Sequence, residues 1–340
     1  MEESPPGHTN VQTLQQIEHS HQRKAAIATG SGTDHAGNVH VTPIANFDLN
    51  KTIFSTLEGR LPRLFMQAKI AKKVEWDQAD AIRIESEYQQ LRASTSIPPV
   101  NQNLVDFMRT ECDFSAEHAD GSFLEHLLFC YDYSAIHFPD HSANVMLLHS
   151  ILGTGTNTFA MEAAKLPDLR ALLTPFEIQH VEAFPSFLRL LYQPAFLGEL
   201  EQNISRLDQL ESVSYHRVID NERQSMAAED FWIQLNYQLI HYVDFLPVAN
   251  WETHFSDPLL QNFIELVVFL EKSKKRLATV HLPIPSAGMF TSPVQEKLSF
   301  GSRLSTIIPV SIKKKQSTKA IQRFSERINH SLAFEFVWNG

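Results

Sequence analysis

The chain has 340 residues, enough for one large domain or two smaller ones. A net charge of −10 with a pI near 5.9 excludes general nucleic-acid binding, and 43% hydrophobic with 20% charged residues is the balance of a soluble globular protein. Two cysteines, Cys112 and Cys130, exclude a disulfide framework; both fall in apolar, helix-like segments, where they read as small buried hydrophobes in a reducing compartment.

Residues 1–41 are rich in Ser, Thr, Gln, Gly and His and lack an apolar period, so they read as a disordered arm. Its histidines, among them His8, His19 and His35, are irregularly spaced with no cysteine between them, and read as solvated. The opening residues hold no apolar core of a secretory signal. The longest apolar run, Leu259 to Leu270, is interrupted by Gln261, Asn262 and Glu265 and falls short of the roughly 20 residues that a membrane span needs. The expectation is a cytoplasmic protein with no membrane partner.

Residues 47–276 read as one all-α domain with its core at 103–249. Its first helices run from Leu61 to about Lys73 and from Trp76 to Ala93, followed by a break at Thr95-Ser96-Ile97-Pro98-Pro99 and a short helix from Leu104 to Cys112. The central stretch, Gly121 to Leu173, holds an apolar helix with His126, a break at His137-Phe138-Pro139-Asp140, and a second apolar helix, Ala143 to Leu152, that contains His149-Ser150. Thr174-Pro175 opens the next helix, to about Tyr192, with a kink expected at Pro185. Pro194 opens another, through Ile204. Ser212 to Ser225 reads as a polar connection and Ser225 as the cap of a long helix, Ala227 to Leu246; Ser256-Asp257-Pro258 caps the last helix of the domain. Residues 277–340 read as a loop-rich, proline-bearing extension with one helix, Lys319 to His330, and a tail, Phe334 to Trp338, that is either a strand or a docked apolar segment. Lys313-Lys314-Lys315 reads as a solvated charge run; contact with a phosphate-bearing partner is the alternative. Gly153-Thr154-Gly155-Thr156 follows no strand and precedes no lysine, so it is not a phosphate loop.

His126 and Val145-Met146-Leu147-Leu148-His149, with the two histidines 23 positions apart, resemble the HD superfamily of helical metal-dependent domains, most closely its branch similar to (p)ppGpp hydrolases. The H-S-x-x-G-T run at His149 to Thr154 looks closest to small uncharacterised relatives of that superfamily. The resemblance spans about Asn103 to Ala249. It implies a divalent metal ion (Fe, Mn or Zn) held by His126, His149 and Asp244, with His180 or His241 assisting proton transfer. Two departures weigh against catalysis. The superfamily's metal-bridging aspartate is Ser150 here, and a hydroxyl that stays protonated is a poor ligand. The acidic pair of the hydrolase branch falls on Gly153 and Thr154.

Three readings follow. In the first, the chain is an HD-like metal-dependent enzyme acting on a small molecule, phosphate-bearing ones included. In a variant, iron bound by two histidines and a carboxylate makes it an oxygenase. In the third, it is a non-catalytic descendant that binds a small ligand or a partner protein, and His126 and His149 are core histidines. The metal readings require the two imidazoles to face each other within roughly 3–5 Å and to be oriented by a neighbour such as Glu125, Asp132 or Asp140. The oligomeric state is left open.

Overall fold

The computed structural model describes residues 96–112, 117–118, 121–153, 155, 161–243, 258–280, 294–297 and 300–339, with 73–76, 90 and 93–94. The arm at 1–41 and most of the two helices expected between Leu61 and Ala93 lie outside these residues. In chain order the elements are β1 (Lys73–Trp76), α1 (Gln102–Glu111), β2 (Glu117–His118), β3 (Gly121–Ser122), α2 (Phe123–His137), α3 (Asn144–Leu148), α4 (Leu166–Ala171), α5 (Pro175–Leu190) and α6 (Pro194–Gln202). There follow β4 (Leu210–His216), β5 (Arg223–Ala227), α7 (Ala228–Val243), α8 (Pro258–Lys272), β6 (Val294–Lys297), α9 (Phe300–Ile307), α10 (Val310–Arg327) and β7 (Glu335–Trp338).

The described residues are mostly helical, and α2, α3, α5, α7 and α8 enclose one core. Helices α2 and α7 are apolar around most of their circumference, which places them inside rather than on the surface; every residue from Phe231 to Val243 is buried. The start of α5 follows the sequence closely. Thr174 accepts from the Glu177 backbone N–H at 3.3 Å, and the Glu177 carboxylate accepts from the Thr174 backbone N–H at 2.8 Å, with Pro175 at the first helical position. Pro185 lies within α5, which continues to Leu190.

Buried polar groups tie the core's irregular segments down. Asn236 on α7 donates to the carbonyls of Trp232 and Lys275 and accepts from the backbone N–H groups of Leu277 and Ala278, so a single side chain uses its full capacity to fix the irregular exit from α8. Tyr237 donates to the Ser142 carbonyl at 2.8 Å, holding the break between α2 and α3 against α7.

A small sheet corrects the all-α expectation. Strands β5, β4 and β7 lie side by side in that order, all antiparallel. The stretch 212–225, expected as a polar connection, is thus a hairpin. Its Val213 and Tyr215 are buried, and Asn221 takes the left-handed conformation (φ 59°) in the turn. Ser225 pairs with Ser214 inside this hairpin and is not a helix cap. Lys73–Trp76, expected at the junction of two helices, is a strand paired with Val294–Lys297. Among its described residues the extension after residue 277 carries two helices where one was expected, and β7 completes the three-stranded sheet, with Phe336 in the core. Lys313 of the expected solvated run is buried, and Lys314 pairs with Glu265 on α8.

Candidate metal centre

Four helices converge on one buried cluster. Helix α2 presents His126 and, one turn later, Cys130 on the same face; α3 ends at His149; α7 brings His241 in its last turn; and α5 lays Phe184 over two of the rings. His126, Cys130 and His149 are each 0% exposed. The Nε2 atoms of His126 and His149 lie 3.0 Å apart, at hydrogen-bond distance. The His241 ring centroid is 4.7 Å from that of His149 and 5.6 Å from that of His126.

The tautomers follow from the acceptors. His149 Nδ1 stands 2.6 Å from the Met146 carbonyl oxygen, which can only accept, so Nδ1 donates. In a neutral ring this leaves Nε2 of His149 as a lone pair. Nε2 of His126 then donates to it, and Nδ1 of His126 faces the Cys130 thiol at 3.9 Å. The local fold makes this geometry: the carbonyl of Met146 is turned toward His149 because α3 ends there, and His149 keeps helical backbone angles (φ −55°, ψ −30°) as the helix closes.

The donor set can hold a cation. One ligand atom from each of His126, Cys130 and His149 lies within 4.8 Å of the others. Two imidazoles and a thiol suit zinc-like ions better than manganese or magnesium, which prefer oxygen. A tetrahedral ion at 2.0–2.1 Å from both Nε2 atoms holds them about 3.3 Å apart, so the pair would open by about 0.3 Å and His126 would give up its Nε2 proton.

The expected site residues divide as follows. The structure brings the Nε2 atoms of His126 and His149 together, with His241 beside them. Asp244 follows the last residue of α7 and lies outside the described residues. His180 is placed elsewhere: its Nδ1 stands 2.8 Å from Oε1 of Gln234, its Nε2 lies 3.9 Å from Asp230, and its ring packs on Phe176 and Tyr237. Burial pushes its pKa down to about 4, against smaller upward pulls from Gln234 and Asp230. His180 therefore stays neutral near pH 7 and is held by Gln234, away from the three-histidine cluster. Ser150 is buried directly after His149, and Gly153 adopts φ 116° in the turn that follows. The neighbour that orients His149 is the Met146 carbonyl rather than Asp132 or Asp140; Asp140 is exposed. Cys130 was read as a plain hydrophobe. The missed signal is its spacing of four from His126, which on a helix means a shared face.

Comparison with family models, with curated proteins and with solved structures returns no match. The site's chemistry therefore rests on its own geometry.

Proposed function

We propose that this chain is a non-catalytic protein of HD-like type that binds a small ligand or a partner protein, with His126 and His149 serving as a locked core pair. The observation that carries this reading is the direct His126–His149 hydrogen bond at 3.0 Å with both rings at 0% exposure. A catalytic metal needs an open coordination position that water and substrate can reach; among the described residues the two Nε2 atoms instead face each other, and His149 packs on Phe184. Ser150 and Gly153, where the resembled hydrolases carry carboxylates, support the same conclusion.

A second reading has its own support. The buried His126, Cys130 and His149 set, with His241 alongside, suits a divalent ion, and this favours an HD-like metal-dependent enzyme, a hydrolase or an iron-dependent oxygenase acting on a small molecule. Metal analysis of tag-free protein separates the two. The binding reading expects less than one equivalent of Fe, Mn or Zn and no hydrolysis of (p)ppGpp or simple phosphate esters in their presence. One tightly held equivalent together with turnover would replace it by the enzyme.

A further inference from the structure

The C-terminal helices carry a surface that the core site does not explain. Helix α9 places three large, exposed apolar side chains on one stripe: Phe300 at 76% exposure, Leu304 at 52% and Ile307 at 76%, spaced i, i+4, i+7. Exposure this high describes a ridge standing out from the body, not the floor of a groove. Contiguous apolar surface of this kind marks an interaction site. A basic stripe follows on the next helix in the chain. On α10, Ile312, Lys315, Lys319 and Arg323 repeat at i, i+3, i+7, i+11 and are exposed, while the opposite face buries Lys313, Ile321 and Phe324. Arg303 on α9 is exposed as well. Among the described residues none of Arg303, Lys315, Lys319 and Arg323 is paired with a carboxylate. Residues 300–325 contain six Lys and Arg and no Asp or Glu, in a chain whose net charge is −10.

We propose that α9 and the exposed face of α10 form a peripheral docking face for an anionic lipid bilayer. The sign contrast selects the occupant and its orientation. An anionic surface repels the acidic remainder of the chain, taken as a whole, and attracts this face, by roughly 1 kcal/mol per basic side chain brought near it. Once there, a protruding ridge of Phe, Leu and Ile enters the headgroup layer without needing a shaped pocket. A partner protein would be expected to receive such anchors in a complementary cavity with a matching rim. The surface lies outside the histidine cluster, so the inference stands independently of which reading of that cluster holds.

The test is co-sedimentation of the full chain with vesicles of phosphatidylcholine alone and of phosphatidylcholine with phosphatidylserine. Binding is expected on the mixed vesicles only, weakening as salt rises. The triple variant Lys315→Gln, Lys319→Gln, Arg323→Gln is expected to bind about 100-fold more weakly, about fivefold per charge. Phe300→Asp with Ile307→Asp is expected to lose binding, and both variants keep the wild-type melting temperature because the altered side chains are exposed. Equal binding to neutral vesicles, or binding to neither, would overturn the proposal. So would a wild-type dimer, seen by light scattering, that Phe300→Asp converts to monomer while vesicles leave the protein in solution, since the face would then belong to a second copy.

Discussion

The buried guanidinium of Arg189 on α5 donates to Nδ1 of His330 at 3.2 Å, and His330 donates from Nε2 to the carbonyl of His216 at 2.9 Å. One ring thereby joins α5, the end of β4 and the segment between α10 and β7. The ring must be neutral to accept from Arg189.

Acid should undo this arrangement. Burial lowers the pKa of His330 to about 4, with Arg189 pushing the same way and the His216 carbonyl opposing; His180 is lowered to about 4 as well, chiefly by burial. A folded-state value below the unfolded 6.5 means that the unfolded chain takes up the proton first. The stability these two rings contribute is complete above about pH 6.5 and is lost as pH falls toward about 4, by about 3 kcal/mol for each ring. Urea unfolding across that range should show the loss, and His330→Gln should flatten part of the slope.

Ser150 gives a discriminating substitution. It is buried beside His149, so Ser150→Asp places a carboxylate where the binding reading supplies no cation. The variant is expected to lose about 3–5 kcal/mol of stability, the scale of an uncompensated buried charge. Added Zn²⁺ should not restore it. Recovery of the wild-type melting temperature by Zn²⁺ would instead favour the metal-dependent reading.

Glu177 is the hub of the approach to α3. Its carboxylate accepts from Ser142 at 2.6 Å, Asn144 at 2.8 Å, and the Thr174 backbone and hydroxyl at 2.8 and 2.9 Å. Burial pushes its pKa up, but these hydrogen bonds more than offset that and hold it below the ordinary value. Its contribution is therefore present above the usual carboxylate range and is lost as pH falls through it. Glu177→Ala, measured by thermal melt, should cost about 3 kcal/mol, since it removes the side-chain half of the α5 capping box and leaves Ser142 and Asn144 without their acceptor.

The end of the described chain is structural rather than appended. Phe336 on β7 packs against Phe196 at 5.3 Å, Phe334 at 5.4 Å and Phe231 at 6.0 Å between ring centroids. Phe336→Ala should cost about 3–5 kcal/mol through the cavity it leaves. Chemical denaturation would register this as a lower midpoint with an unchanged slope.

Helices with long apolar periods were legible in the sequence, and so was the capped start of α5, because Thr174, Pro175 and Glu177 act locally. The facing of His126 and His149 was legible only through the resemblance, as spacing alone does not say which helices meet. The hairpin at 210–227 was not legible: Ser, Glu and His dilute its alternation, and Val213 and Tyr215 are buried by elements distant in the chain, Tyr215 packing on Phe187 of α5 at 4.7 Å between ring centroids. The displacement of His180 from the cluster was equally hidden. Both His180 and Phe184 sit on the buried face of α5, one turn apart, and only the packing against Gln234 decides which of them reaches His149.

The antiparallel register of Leu210 with Trp338 gives β4 two unequal neighbours. Its partner β5 is local and can pair as soon as the turn at Asn221 forms, whereas β7 must arrive from far along the chain. Before it does, Leu210 to Ser214 offer a row of open N–H and C=O groups to any strand within reach. In concentrated refolding, the nearest such strand is the β7 of another copy, and the same register then yields an exchanged dimer with native pairing in each half. Dilution during refolding thus decides which β7 closes the sheet.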